Sequence, residues 1–162
     1  MIAWLVHRLM PAAALGGTRG LPVPDPVDIA AVLRPSRRNS ALAAPADFTA
    51  RPDVVTRDCP VPAEMLYGLL LRAAAGQERT FLAASYPTRL QAHFVARSAK
   101  RNLPGVIVAE AMPRGDDASV AVIYSASVYG WTDFGANRKR VAGWVSALDA
   151  LVATAGVTEE VG

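Results

Sequence analysis

Cysteine is almost missing from this chain. Cys59 stands alone, so no intrachain disulfide and no cysteine-based metal or redox pair can form. Histidine is nearly as scarce: His7 and His93 cannot make an ordinary zinc site without carboxylates that the sequence does not group. No Walker loop, no Gly-x-Gly-x-x-Gly fingerprint and no Gly-x-Ser-x-Gly elbow occurs, which leaves no motif calling for a nucleotide, a dinucleotide or any other cofactor. No apolar run approaches the roughly 20 residues that cross a bilayer. Nothing repeats internally, and no tract is of low complexity beyond the abundance of alanine.

Charge of one sign is also in short supply. The net charge is +3, and residues 1–52 account for it with six arginines against Asp25, Asp28 and Asp47, while the remainder carries equal numbers of acids and bases. A neutral domain lacks the basic stripe that tracks phosphates, so nucleic acid is not an expected partner.

What is present suits one core. The chain has 162 residues, 52% of them apolar and 19% charged, enough to fold without disulfide or metal. Seven of the twelve prolines fall between Pro11 and Pro52. They remove amide donors and fix φ, so residues 1–52 read as an extended arm that packs no core of its own, with at most one helical turn near Val27 to Leu33. Its first ten residues, MIAWLVHRLM, are too short to span a membrane and too interrupted for a secretory signal. Trp4, Leu5 and Leu9 with His7 and Arg8 suit a short interfacial helix, so the expected location is cytoplasmic or peripheral at an inner membrane.

Residues 53–156 read as the folded domain and 157–162 as a tail. Val54 to Asp58 is a short β-type run. Pro62 opens a helix to about residue 75, with Met65, Leu66, Leu69, Leu70 and Ala73 at helical spacing and Gly76 after it. Alternating runs at Arg79 to Ser85 and Arg89 to Arg97 predict a hairpin, and Val106 to Met112 with Ser119 to Tyr129 predict two further strands. In the second run Leu90, Ala92, Phe94 and Ala96 share a face, and Arg89, Gln91, His93 and Arg97 the other. A last helix starts near Thr132 or Asp133 and runs to about Ala155, with Val141, Val145, Leu148 and Val152 as its apolar stripe. The order β-α-β-β-β-β-α predicts an α+β fold: an antiparallel meander with both helices on one face, similar to a shortened helix-grip.

The stretch from Ser125 to Arg140, with Asp133, Gly135, Asn137 and Arg140 entering the last helix, resembles the bacterial and plant-plastid family catalogued as domain of unknown function 1499. The resemblance covers roughly residues 35 to 153 and includes Asn39, which is similar to the asparagine before that family's first strand. It implies this fold and no reaction. Many relatives carry a lipoprotein signal or membrane anchor where this chain has only its apolar stub, and an acidic residue where this chain has Gly105.

Asp133, Asn137, Arg140 and Trp144 are spaced for one stripe of the last helix. As a site they would bind a ligand, Arg140 offering a fork to a carboxylate or phosphate together with Arg97 on the strand. As structure, Asp133 caps the helix and Asn137 answers backbone groups of the sheet. His93 with Ser125 or Ser127 and Asp133 supplies the residue types of a hydrolytic triad, though no elbow supports it, so no catalytic residue is assigned. Arg89, His93, Arg97, Lys100 and Arg101 form a basic cluster, expected to be a solvated strand face or one that attracts anionic lipid heads. Two function classes follow. One is a non-enzymatic binding or accessory domain whose groove, between sheet and last helix, holds a lipid or small amphipathic molecule. The other is a hydrolase- or cyclase-type enzyme using His93 and the Asp133, Asn137, Arg140 stripe.

Overall fold

The computed structural model describes residues 11–31, 38–130 and 132–159. The expected interfacial stub at 1–10, part of the expected helical turn near Leu33 and the end of the expected tail lie outside these residues. One helical turn, α1 (Pro11–Ala14), precedes the strands β1 (Ser40–Ala44) and β2 (Val54–Val55) and the helix α2 (Ala63–Ala75). Strands β3 (Thr80–Tyr86), β4 (Gln91–Arg97), β5 (Pro104–Pro113) and β6 (Ser119–Ser127) follow, and α3 (Ala136–Glu159) closes the chain. The helix runs through Gly156, the stop expected from the sequence. A helical glycine costs only about 1 kcal/mol relative to alanine, so it ends a helix only where the chain must turn left-handed.

The fold is α+β. Six strands form one sheet in the order β2-β1-β6-β5-β4-β3, and β3 to β6 make the expected antiparallel meander. The β1–β2 pair is parallel, so the sheet is mixed. Strand β1 corrects the expectation that residues 1–52 form an extended arm contributing little to the core. It lies inside the sheet between β2 and β6, with every residue buried. Its alanines leave room for close packing on both sides. Ala41 and Ala43 face the helices, and Leu42 and Ala44 face the other way.

Pleating sends alternate residues of each strand to opposite faces. On one face Ala92, Phe94, Ile107, Ala109, Ala121 and Ile123 meet Leu66, Leu70, Val141, Trp144 and Leu148 of α2 and α3. Phe94 stands edge-on to Trp144, with ring centroids 5.1 Å apart. Each such large side chain contributes about 1.5–3 kcal/mol by leaving water. These side chains fill the space between sheet and last helix where the sequence reading set a groove. The opposite face carries Val108, Val122, Tyr124 and Ala126, and what covers it is the arm, through Val27, Ile29 and Phe48.

Candidate functional site

Two polar constellations stand out, one on each face of the sheet. The first is the corner where α3 begins. The chain enters it through Phe134 at φ 52° and Gly135 at φ 83°, successive left-handed residues. The Asp133 carboxylate stabilises that turn by accepting from the Gly135 and Asn137 amides at 2.9 and 2.8 Å. It thereby satisfies donors that a helix start leaves unpaired.

Asn137 is fully buried and makes use of both ends of its amide. Its Nδ2 donates to Asp133 Oδ2 at 2.6 Å, the Asn39 carbonyl at 2.8 Å and Ser127 Oγ at 2.9 Å. Its Oδ1 accepts from Ser125 Oγ and from Arg140 Nη1, both at 2.6 Å. Arg140 Nη1 also donates to Ser125 Oγ at 3.0 Å. Burial holds this guanidinium below its usual pKa, with Asp133 pulling the other way. Gly105 makes the close approach feasible, since a Cβ there would lie 3.5 Å from Arg140 Nη1 and 3.2 Å from the Ala126 carbonyl. Asp133, Asn137, Arg140, Ser125 and Ser127 are thus brought together, in a network that ties α3 to β6 and to Asn39 before β1.

The second constellation lies on the arm-covered face, where β4 presents Gln91, His93 and Arg97. They are 0%, 4% and 4% exposed. The expected basic cluster is therefore divided: Arg89, Lys100 and Arg101 are exposed, while His93 and Arg97 are sealed. What seals them is main chain. Arg97 donates from Nε to the Gly17 carbonyl at 2.9 Å, from Nη2 to that of Arg19 at 2.9 Å, and from Nη1 to those of Ala12 and Asn102. Its fork is spent on carbonyls rather than held out to a ligand anion. Asn102 Nδ2 takes the Leu15 carbonyl at 2.7 Å, and the Tyr86 hydroxyl takes that of Pro24.

Gln91 completes the fastening. Its Oε1 accepts from the Val27 amide at 2.9 Å, and its Nε2 donates to the Val27 carbonyl at 2.7 Å and to Glu110 Oε2 at 2.5 Å. Burial pushes the Glu110 carboxyl up, against the lowering pull of Gln91. His93 Nε2 stands 2.7 Å from Gln91 Oε1, and Tyr86 meets the imidazole edge-on at 5.7 Å. Burial lowers the His93 pKa, so the ring is neutral at pH 7. Between arm and sheet lies a cavity of about 210 Å³, walled by Leu21, Pro22, Pro24 and Val27 on one side and by Ala83, His93, Val95, Val106 and Val108 on the other.

His93 and the Asp133 corner do not form one site. His93 projects from the arm face of β4, whereas Ser125, Asn137 and Arg140 lie on the helix face. A triad of His93, Ser125 and Asp133 would have to act through the sheet. Among the described residues no group of three His, Cys, Asp or Glu stands close enough to hold a metal ion. Nor is any helix there long and apolar enough to cross a membrane. Gln91, Tyr86 and Glu110 were not among the sequence-derived candidates, and the alternation of β4 gave their neighbourhood but not its lid.

No curated protein matches the chain. Among solved structures, it is similar to the di-domain ARO/CYC BexL from the BE-7585A biosynthetic pathway, at 11% identity and TM-score 0.46. That match takes in 67% of this chain, which spans only 44% of the other. It is also similar to a protein of Thermobifida fusca, at 12% identity and TM-score 0.38, over 54% of this chain and 72% of that one. A Thermus thermophilus protein shows 15% identity and TM-score 0.35, over 62% and 96% of the two chains. Likenesses this distant carry no argument about the site. The model of one family, described as a protein of unknown function, matches residues 31–148, most of the chain from before β1 into α3, and this protein belongs to that family, DUF1499.

Proposed function

We propose that this domain is a binding or accessory module that takes up a small apolar or amphipathic molecule in the cavity beneath the arm. The observation that carries the reading is a cavity of about 210 Å³ with aliphatic walls and one buried titratable ring, closed by a segment held to the sheet through side-chain bonds to its main chain. A preformed apolar hollow with one or two convergent polar groups is the usual form of a small-ligand site. A cover without a backbone ladder of its own can open without unravelling the sheet. The catalytic alternative needs His93 and the Asp133 corner side by side, and the sheet stands between them.

Native mass spectrometry of the purified chain, followed by extraction and identification of any released small molecule, tests this. The expected result is a bound apolar compound, or one taken up from a panel of hydrophobic fragments. Binding of such compounds undiminished after Val106→Trp, which fills the cavity, would overturn the assignment. Peripheral membrane contact through residues 1–10 belongs to the same proposal, on the strength of Trp4 beside His7 and Arg8.

A further inference from the structure

We infer that the molecule held under the arm is a compact apolar alcohol or phenol whose hydroxyl donates a hydrogen bond to Nδ1 of His93. This rests on the reading of the cavity as a binding site and adds the chemical class of what fills it.

The tautomer of His93 carries the argument. The Gln91 amide has its orientation fixed twice by one residue, because the Val27 N–H needs the amide oxygen and the Val27 carbonyl needs the amide nitrogen. The atom facing His93 Nε2 at 2.7 Å is therefore an acceptor, Gln91 Oε1. The imidazole must then carry its hydrogen on Nε2 and leave a lone pair on Nδ1. No described residue donates to Nδ1. That nitrogen is not among the buried polar side-chain atoms left without a partner among the described residues, which are Asn39 Oδ1 and Trp144 Nε1. His93 keeps 4% of its surface and lines the cavity, which makes its free Nδ1 lone pair the acceptor that the proposal assigns to the ligand.

The walls restrict what can meet it. A carboxylate would need a cation, and neither arginine of this face lines the cavity: Arg97 is committed to four carbonyls, and the exposed Arg89 donates to the Val27 carbonyl at 3.5 Å. An ammonium would leave water for aliphatic surroundings with a single acceptor to receive it, and an uncompensated buried charge is far costlier than a neutral donor. A hydroxyl meets the lone pair and brings no charge. An apolar hollow of about 150 Å³ admits benzene, so one of about 210 Å³ suits a single ring with small substituents.

The test uses a matched pair, p-cresol and p-xylene, which differ by one hydroxyl for one methyl group, with affinities from isothermal titration calorimetry of the full chain. The expected result is p-cresol bound about threefold to tenfold tighter, the worth of one net hydrogen bond. The preference should vanish in His93→Phe, which keeps the ring and leaves Gln91 Oε1 its Val27 partner. Equal affinities in the parent would overturn the hydroxyl assignment and leave the cavity reading standing. Binding of neither compound would remove the cavity reading and this inference with it. Nitrogen-15 NMR of the His93 ring in the parent chain needs no variant: p-cresol should shift Nδ1, and saturating p-cresol with an unmoved Nδ1 would refute the contact.

Discussion

The two faces of the sheet are covered by opposite means. On one, α2 and α3 satisfy their own backbone and bring only side chains to the interface, so the contact is aliphatic and aromatic, centred on Phe94 and Trp144. On the other, a proline-rich coil arrives with its carbonyls unpaired, and the sheet supplies the donors: Arg97, Asn102, Tyr86 and Gln91 reach up to Ala12, Gly17, Arg19, Leu15, Pro24 and Val27. A segment whose internal hydrogen bonds are confined to short turns can thus bury a sheet face if that face bears long polar side chains. Buried polar groups need partners, and here the arm's main chain is the partner. The helix side is cemented by area and by one side-chain network at the Asp133 corner, the arm side by side-chain bonds to main chain. The sides should therefore fail differently.

The largest effect is expected at Asn137, on the helix side. Replacing it with leucine adds apolar surface yet strips partners from Asp133, Ser125, Ser127 and Arg140 together. Each buried group left alone costs about 1–3 kcal/mol, so Asn137→Leu should lower the melting temperature by several degrees. A variant melting at or above the parent would show that the corner is strained for binding rather than built for stability.

Arg97→Ala should act locally on the arm side. The freed carbonyls can turn to water, so the loss of global stability should stay within about 1–3 kcal/mol. Hydrogen exchange at arm amides between Gly16 and Val27 should rise at least tenfold, while β5 and β6 keep their protection. If exchange rose equally across the sheet, arm and helix side would be one cooperative unit and the contrast between the faces would fail.

The meander and both long helices were legible because their apolar periods are strong. Beneath the arm, legibility ends for a physical reason. Alternation put Gln91, His93 and Arg97 on one face of β4, but nothing local says whether water or chain lies above them, and the answer sits 64 to 85 residues away in sequence. Residue patterns alone do not show strand β1, although the family resemblance sets a first strand after Asn39, because Ser-Ala-Leu-Ala-Ala has the composition of a helix and no β-branched residue. Its position between β2 and β6 comes from tertiary packing, where small side chains fit between α3 and the arm. The corner is legible in part: the spacing of Asp133, Asn137 and Arg140 brings them together, whereas Ser125 and Ser127 stand in the sequence as triad candidates and as the end of the family's strand, not as partners of Asn137.

The smallest expected effect distinguishes the faces by pH. The arm face holds His93, neutral because burial lowers its pKa below the ordinary 6.5. A group whose folded pKa is depressed contributes stability that is present above its unfolded pKa and is lost as pH falls toward the folded one. Between pH 7 and 5.5 the unfolded chain takes up a proton that the folded imidazole refuses, at a cost of up to about 1 kcal/mol. Tyr86 stands edge-on to the ring. Glu110, behind Gln91, works in the opposite sense: its raised pKa gives stability at low pH that is lost as pH rises. Arg89, exposed, and Arg97, buried, are the arginines on this face. Subtracting the pH profile of His93→Phe from that of the parent leaves the histidine's part, because Glu110 is common to both. Urea denaturation at pH 7.0, 6.25 and 5.5 should show the parent losing more stability on acidification than the variant. Parallel profiles would mean that His93 accepts a proton as readily folded as unfolded, and the ring would then be in contact with water rather than held beneath the arm.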